Sequence, residues 1–266
     1  FRSRLNENRI AAYGQYKELA DIIEGVAKEL NYAKGADPLA ERRMKRFLRA
    51  MDIEADVSVF RDNRGRLRAI IESGHLGPLL RQGNHLEILS GVLGVRLCKP
   101  PTDDDISDRR LVVVEAEPLV VSVGIAGMKK KGEPVSGDRG TYFKTDQGIL
   151  CVILADGMGS GEEAARESIN AVKTLEAFLR AGVDPAVAMK ILNSVLLLKN
   201  GEEWGYSTVD LMCVDLFTGE TCFYKYGAAP SFVKNGKAIR RVRCESLAAG
   251  ICAGDGSTPD IVRMRL

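Results

Sequence analysis

Residues 136–161 read Ser-Gly-Asp-Arg-Gly-Thr-Tyr-Phe-Lys-Thr-Asp-Gln-Gly-Ile-Leu-Cys-Val-Ile-Leu-Ala-Asp-Gly-Met-Gly-Ser-Gly. The uninterrupted apolar run from Ile149 to Ala155 has the length and composition of a strand buried on both faces. It ends on a carboxylate, Asp156, followed by Gly157, Gly159 and Gly161. Glycines at such a rim let the backbone turn sharply and let a ligand come close. A helix is predicted next, with Ser160 as N-cap and Glu162 and Glu163 in its first turn, where acidic side chains suit the positive end of the dipole. Asp156 is therefore expected between a strand end and a helix start. A second carboxylate, Asp138, stands in the other glycine-rich turn of the stretch.

Hard cations such as Mg²⁺ or Mn²⁺ are held by a few carboxylates, a backbone carbonyl or two, and waters. A hairpin from 138 to 156 brings Asp138 and Asp156 together and offers the carbonyl of Gly157 as a third ligand. A pair of such ions lowers the pKa of a bound water and clamps a phosphoryl group. Read residue by residue, the stretch equally allows Asp138 as a turn residue and Asp156 as a helix cap, since Asp and Gly dominate turns.

Ser136-Gly137-Asp138 followed by Ala155-Asp156-Gly157-Met158-Gly159-Ser160-Gly161 resembles the metal-dependent protein phosphatases of type 2C, and among them the stage II sporulation protein E branch. The similarity continues in order through Glu176-Ala177-Phe178-Leu179, Ile191-Leu192-Asn193-Ser194, Tyr206-Ser207-Thr208-Val209-Asp210-Leu211 and Gly227-Ala228-Ala229-Pro230-Ser231-Phe232. This resemblance implies a protein serine phosphatase that uses two Mn²⁺ or Mg²⁺ ions. Asp138, Asp156 and Gly157 would be metal ligands, and a metal-bound water would be the nucleophile in place of a catalytic side chain. It further implies a small phosphorylated anti-anti-sigma factor as substrate, possible contact with the cell-division machinery, and a parent protein anchored in the membrane with this part on the cytoplasmic side.

Around that core, 45% hydrophobic content in 266 residues suffices for one large domain or two moderate ones. The balance of 38 basic against 36 acidic residues creates no bulk field that calls for nucleic acid. Six cysteines without a C-x-x-C pair, several within apolar runs, read as reduced thiols in a cytoplasmic setting. His75 and His85 lack cysteine or carboxylate neighbours at metal-ligand spacing and read as structural or surface residues.

Residues 3–30 carry Ala12, Tyr16, Leu19, Ile23, Val26 and Leu30 at coiled-coil-like spacing, a linker helix able to pack on its own domain or form a homodimer. An amphipathic helix is predicted over 39–51, strands at 55–60, 66–72 and 94–98, and a helix over 84–93, with a loop from 100 to 108. Strands at 111–117 and 119–127 bracket a boundary at Pro118. Helices over 160–181 and 184–199 precede strands at 206–215, 220–226, 230–234 and 237–243, with Asn235-Gly236 as a hairpin turn. Asp210 in the first of these strands is a residue near the site or a cross-strand hydrogen-bonding partner.

The predicted fold is α+β: a helical linker (1–34), a small α/β regulatory unit (35–117) and a type 2C-like α-β-β-α sandwich (118–266). Two further metal-binding aspartates expected from the resemblance, near the C-terminus, are not found before Leu266, and Asp255-Gly256 lacks the apolar strand needed to replace one. On that reading the chain is a C-terminally truncated piece with an unfinished sheet edge, inactive or holding one ion weakly. The alternative from another class is a non-catalytic dimerisation or interaction module of a sporulation or sigma-factor regulatory protein. A nucleotide-binding loop at Gly157–Gly161 fits poorly, because Glu162 and Glu163 would repel phosphate.

Overall fold

The computed structural model describes residues 35–266 except 63, 101–105, 108, 146, 200–204 and 253–257. The linker stripe over 3–30 and Asp255-Gly256 lie outside the described residues. Pro118 closes one compact unit and Leu119 opens another.

In the first unit, helix α1 (Pro38–Ala50) buries Ala40, Met44 and Leu48 and turns its arginines outward, as the apolar spacing predicts. Strands β1 (Asp56–Arg61) and β2 (Leu67–Glu72) form the expected hairpin. A short helix α2 (Gly77–Leu80) precedes α3 (His85–Leu93). Strand β3 is only Leu97–Cys98, and the predicted loop after it contains a two-residue strand β4 (Ile106–Ser107) before β5 (Arg110–Glu115). The antiparallel order is β1-β2-β5-β3, with β4 also on β5.

Asp37 caps α1: its Oδ1 accepts from Ala40 N at 3.0 Å and its Oδ2 from Arg61 Nε at 3.1 Å. The backbone bond from Ala40, with the smaller help of Arg61, holds the Asp37 carboxyl below its ordinary 3.8 despite the opposing effect of burial. Asp37→Ala should therefore cost about 1 kcal/mol at neutral pH. A lowered carboxylate pKa stabilises above the unfolded value and ceases to do so as pH falls through the folded one. Chemical denaturation of wild type and variant should converge under acid conditions.

The second unit holds β6 (Asp138–Lys144), β7 (Ile149–Gly157), α4 (Gly161–Arg180), α5 (Pro185–Lys199), β8 (Ser207–Asp215) and β9 (Glu220–Tyr226). A hairpin of β10 (Ser231–Asn235) and β11 (Ala238–Val242) follows, then β12 (Asp260–Arg265). The main sheet is antiparallel in the order β12-β9-β8-β7-β6, and β10-β11 make a separate two-stranded sheet.

Odd-numbered residues of β7 such as Ile153 pack with Leu175, Phe178 and Leu192 of the two helices. Even-numbered Leu150 and Val152 lie in a separate cluster with Val214 and Leu216. In the helix-side core Cys151 and Cys213 face each other at 3.8 Å between sulfurs, both free thiols. Asp184 caps α5 through Ala186 N at 2.9 Å and Val187 N at 3.2 Å. Asn193 of α5 donates to Cys252 O (3.1 Å) and accepts from Gly250 N (2.8 Å), tying the path between β11 and β12 to the helix.

Two expectations need correction. Residues 119–127 form no strand: Leu119 N donates to Leu216 O at 3.1 Å and Val123 packs beside Leu150, but no ladder forms, and β-rich composition makes a strand only when a pairing edge receives it. Conversely β12 lies where no strand is predicted. Its alternating Asp-Ile-Val-Arg-Met-Arg is too short a pattern to declare itself without its partner β9.

Candidate metal centre

Antiparallel pairing places Asp138 directly opposite Asp156. The neighbouring bonds Gly157 N to Gly137 O (3.3 Å) and Thr145 N to Ile149 O (2.9 Å) give odd-numbered residues of β7 the hydrogen bonds to β6. The two aspartates thus occupy a non-hydrogen-bonded position, where cross-strand side chains come closest. Partial desolvation of this otherwise exposed carboxyl first, then the charge of Asp138 and a hydrogen bond between the two carboxyls, push Asp156 above its ordinary 3.8.

The surrounding backbone keeps this position open. A Cβ on Gly137 would lie 2.9 Å from Ala164 Cβ, 3.6 Å from Gly157 O and 3.7 Å from Asp156 Oδ1. Its absence leaves a gap before that carbonyl and carboxylate. Ser207 Oγ donates to Asp156 O at 2.9 Å, fixing the peptide that leads into Gly157. Ser136 Oγ donates to Asp138 Oδ2 at 3.3 Å.

At Gly157 the strand presses against α4, so that a Cβ would stand 2.0 Å from Ala164 O. Gly157→Ala must move helix or strand, and an expected loss of about 3 kcal/mol should appear in denaturant titration. Ser160 precedes α4 but its side chain does not cap it; the hydroxyl donates to Glu133 Oε1 at 2.7 Å. Glu133 thus stands beside the positive end of the α4 dipole. It comes from the segment Lys129-Lys130-Lys131-Gly132-Glu133, where the lysines mask it in the sequence.

Among the described residues no group of three or more His, Cys, Asp or Glu side chains is gathered to hold a metal. Two opposed carboxylates, a carbonyl and a gap made by a missing Cβ suit a hard, hydrated divalent ion, which needs only one or two carboxylates and keeps several waters. Among the described residues no Cys or His side chain joins the two aspartates to make such a group. His85 Nδ1 lies 3.1 Å from Gln82 O in the other unit.

Asp210 shares the Asp156 face, since it pairs with Leu154 of β7 and Lys225 of β9. Its Oδ2 meets the ammonium of Lys225 and accepts from Ser231 Oγ at 2.6 Å. Lys225, completely buried, also donates to Ser231 Oγ (2.8 Å) and Ala229 O (3.0 Å). The cross-strand role for Asp210 is the one found. Lys225 escapes a sequence reading because Phe-Tyr-Lys-Tyr looks like a strand with its lysine in water.

An antiparallel sheet with two helices on one face and a carboxylate pair at a strand end is the core of a PP2C-type phosphatase fold. The solved PP2C phosphatase domain with a fragment of the regulatory domain of SpoIIE from Bacillus subtilis matches at a TM-score of 0.61 and 25% identity, covering 100% of this chain and 76% of that one. Residues 146–266 match the family model of stage II sporulation protein E (SpoIIE). Stage II sporulation protein E of Priestia megaterium is 36% identical over 132 residues, and that of Bacillus subtilis (strain 168) 38% over 131. These alignments cover 50% and 49% of this chain but only 22% and 16% of the relatives' length.

Proposed function

We propose that the chain is the regulatory and catalytic portion of a metal-dependent protein serine phosphatase of the sporulation type. The observation that carries this is the Asp138–Asp156 opposition, which on its own costs stability and is relieved by a cation. Asp138, Asp156 and the Gly157 carbonyl would hold Mn²⁺ or Mg²⁺, a reading supported by the match of residues 146–266 to the SpoIIE family model. When bound, such an ion neutralises phosphoryl charge and activates water for hydrolysis.

The chain's own residues supply placement. Ser207 fixes the Asp156 peptide, Gly137 leaves the approach open, and the glycine turn after Asp156 admits a phosphoryl group close to the backbone. Residues 35–117 would be the regulatory domain, 118–266 the phosphatase domain and 1–34 a helical linker. The substrate proposed from the resemblance is phosphoserine on an anti-anti-sigma factor.

The test is Mn²⁺-dependent phosphate release from a phosphoserine protein, by this chain and by a version extended to its relatives' length, with Mn²⁺ binding followed by calorimetry. Release that saturates with Mn²⁺ supports the reading. Absence of both binding and release in both versions defeats it, leaving the interaction module.

A further inference from the structure

The β10–β11 hairpin carries Lys234, Lys237, Arg240, Arg241 and Arg243, with no acidic residue between Ser231 and Arg243. Taking these five from the chain's 38 basic residues leaves its 36 acidic ones in the majority. All five are exposed. Register puts Phe232 opposite Arg241 and Lys234 opposite Ile239, so these four share one face. Phe232 and Ile239 are each 68% exposed, and the Arg241 guanidinium lies 5.9 Å from the Phe232 ring centre.

Two-stranded hairpins are marginal alone in water, and this one is gripped at its base. Buried Lys225 holds Ala229 O and Ser231 Oγ, and Asp260 Oδ2 accepts from Glu245 N (2.6 Å) and Ser246 N (2.7 Å) just beyond β11. The base also adjoins the carboxylate pair. Tyr226, which ends β9, is level with Val209 and through it with Ala155. Lys225 lies on the Asp156 face, two strands away and level with Leu154, so two strand spacings and two residues of rise put it roughly 12 Å from Asp156. About four residues of extended chain span that distance.

We propose that the outward face of the β10–β11 hairpin is a docking surface for an acidic segment of the partner protein that also carries apolar side chains. Interleaved cations and apolar groups call for carboxylates and apolar side chains on one polymer. Phosphodiesters would use the cations and leave Phe232 and Ile239 uncovered. A bilayer would need apolar groups at the tip, yet the tip is Asn235-Gly236-Lys237, and the two apolar residues sit further down the hairpin. The inference rests on the phosphatase reading only for the phosphoserine, which the docked segment would deliver to Asp138 and Asp156; binding itself needs no metal.

The probe is a fluorescein-labelled glutamate-rich serine peptide containing leucine and phenylalanine, used with EDTA in its unphosphorylated form. Anisotropy should show binding that weakens with added salt. It should fall about tenfold in the Lys234→Glu/Arg241→Glu double variant and also in Phe232→Ser, while Arg42→Glu/Arg46→Glu in the other unit leaves it unchanged. Equal binding by wild type and hairpin variants overturns the proposal. So does binding to phosphatidylcholine–phosphatidylserine vesicles with none to the peptide. With Mn²⁺ and the phosphorylated peptide, phosphate release should favour the acidic sequence over a neutral one, and the double variant should lose that preference. Binding without release would defeat the phosphatase reading and leave the docking surface standing.

Discussion

Asp156→Asn is expected to cut metal-dependent phosphate release on the order of a thousandfold, the effect of forfeiting several kcal/mol of charge stabilisation. It should at the same time raise the stability of the metal-free protein by roughly 0.5 kcal/mol, since like charges directly opposite across a ladder are unfavourable. Both effects have one cause. Asp156 faces Asp138 at a non-hydrogen-bonded position, and the variant keeps the shape while removing the charge. The sign with pH follows from the raised carboxyl. Stability linked to it is greatest below the unfolded value of 3.8 and is lost as pH rises through the folded value. Thermal unfolding in EDTA should therefore favour the variant at neutral pH, with the gap closing on acidification. A variant less stable than wild type at neutral pH would show that the pair is not repulsive.

Much of this site is legible in the sequence because each piece announces itself locally. The apolar run Ile149–Ala155 marks β7, the turn Thr145–Gly148 returns it to β6, and together they bring residue 138 to residue 156. What stays hidden depends on partners distant in sequence. The segment 119–127 has strand composition but no ladder, and β12 has a ladder in β9 with little pattern of its own. Gly157 reads as a turn glycine, whereas its stronger constraint is the carbonyl of Ala164. Lys225 alternates as a solvent-facing residue would, and only β8 and the start of β10 reveal its burial.

Lys225→Met should destabilise the second unit by about 4 kcal/mol, because it leaves Asp210 in a largely enclosed place without its counter-charge. The Lys225 side chain is 0% exposed and that of Asp210 16%. The ammonium meets three oxygens, so its removal takes a donor from Asp210 Oδ2, Ser231 Oγ and Ala229 O at once and leaves the Asp210 charge only the Ser231 hydroxyl. Lys225→Met with Asp210→Leu should recover most of the loss, since an apolar pair carries no desolvation cost. Denaturant unfolding of the two single variants and the double variant gives the coupling directly. Additive losses would mean that the ion pair does not hold the base of the hairpin.

Asn193 has a consequence on the timescale of hours. The Gly250 amide lies outside every ladder of the sheet, yet it donates to the carboxamide of a residue inside α5, which itself is 3% exposed. Its proton can leave for solvent only when the helix and the returning chain part company. In deuterated water Gly250 should keep its proton as long as the interior of α5 does, far longer than a loop glycine ordinarily would. A helix side chain here does for the returning chain what a neighbouring strand does elsewhere, and the chain reaches β12 already moored.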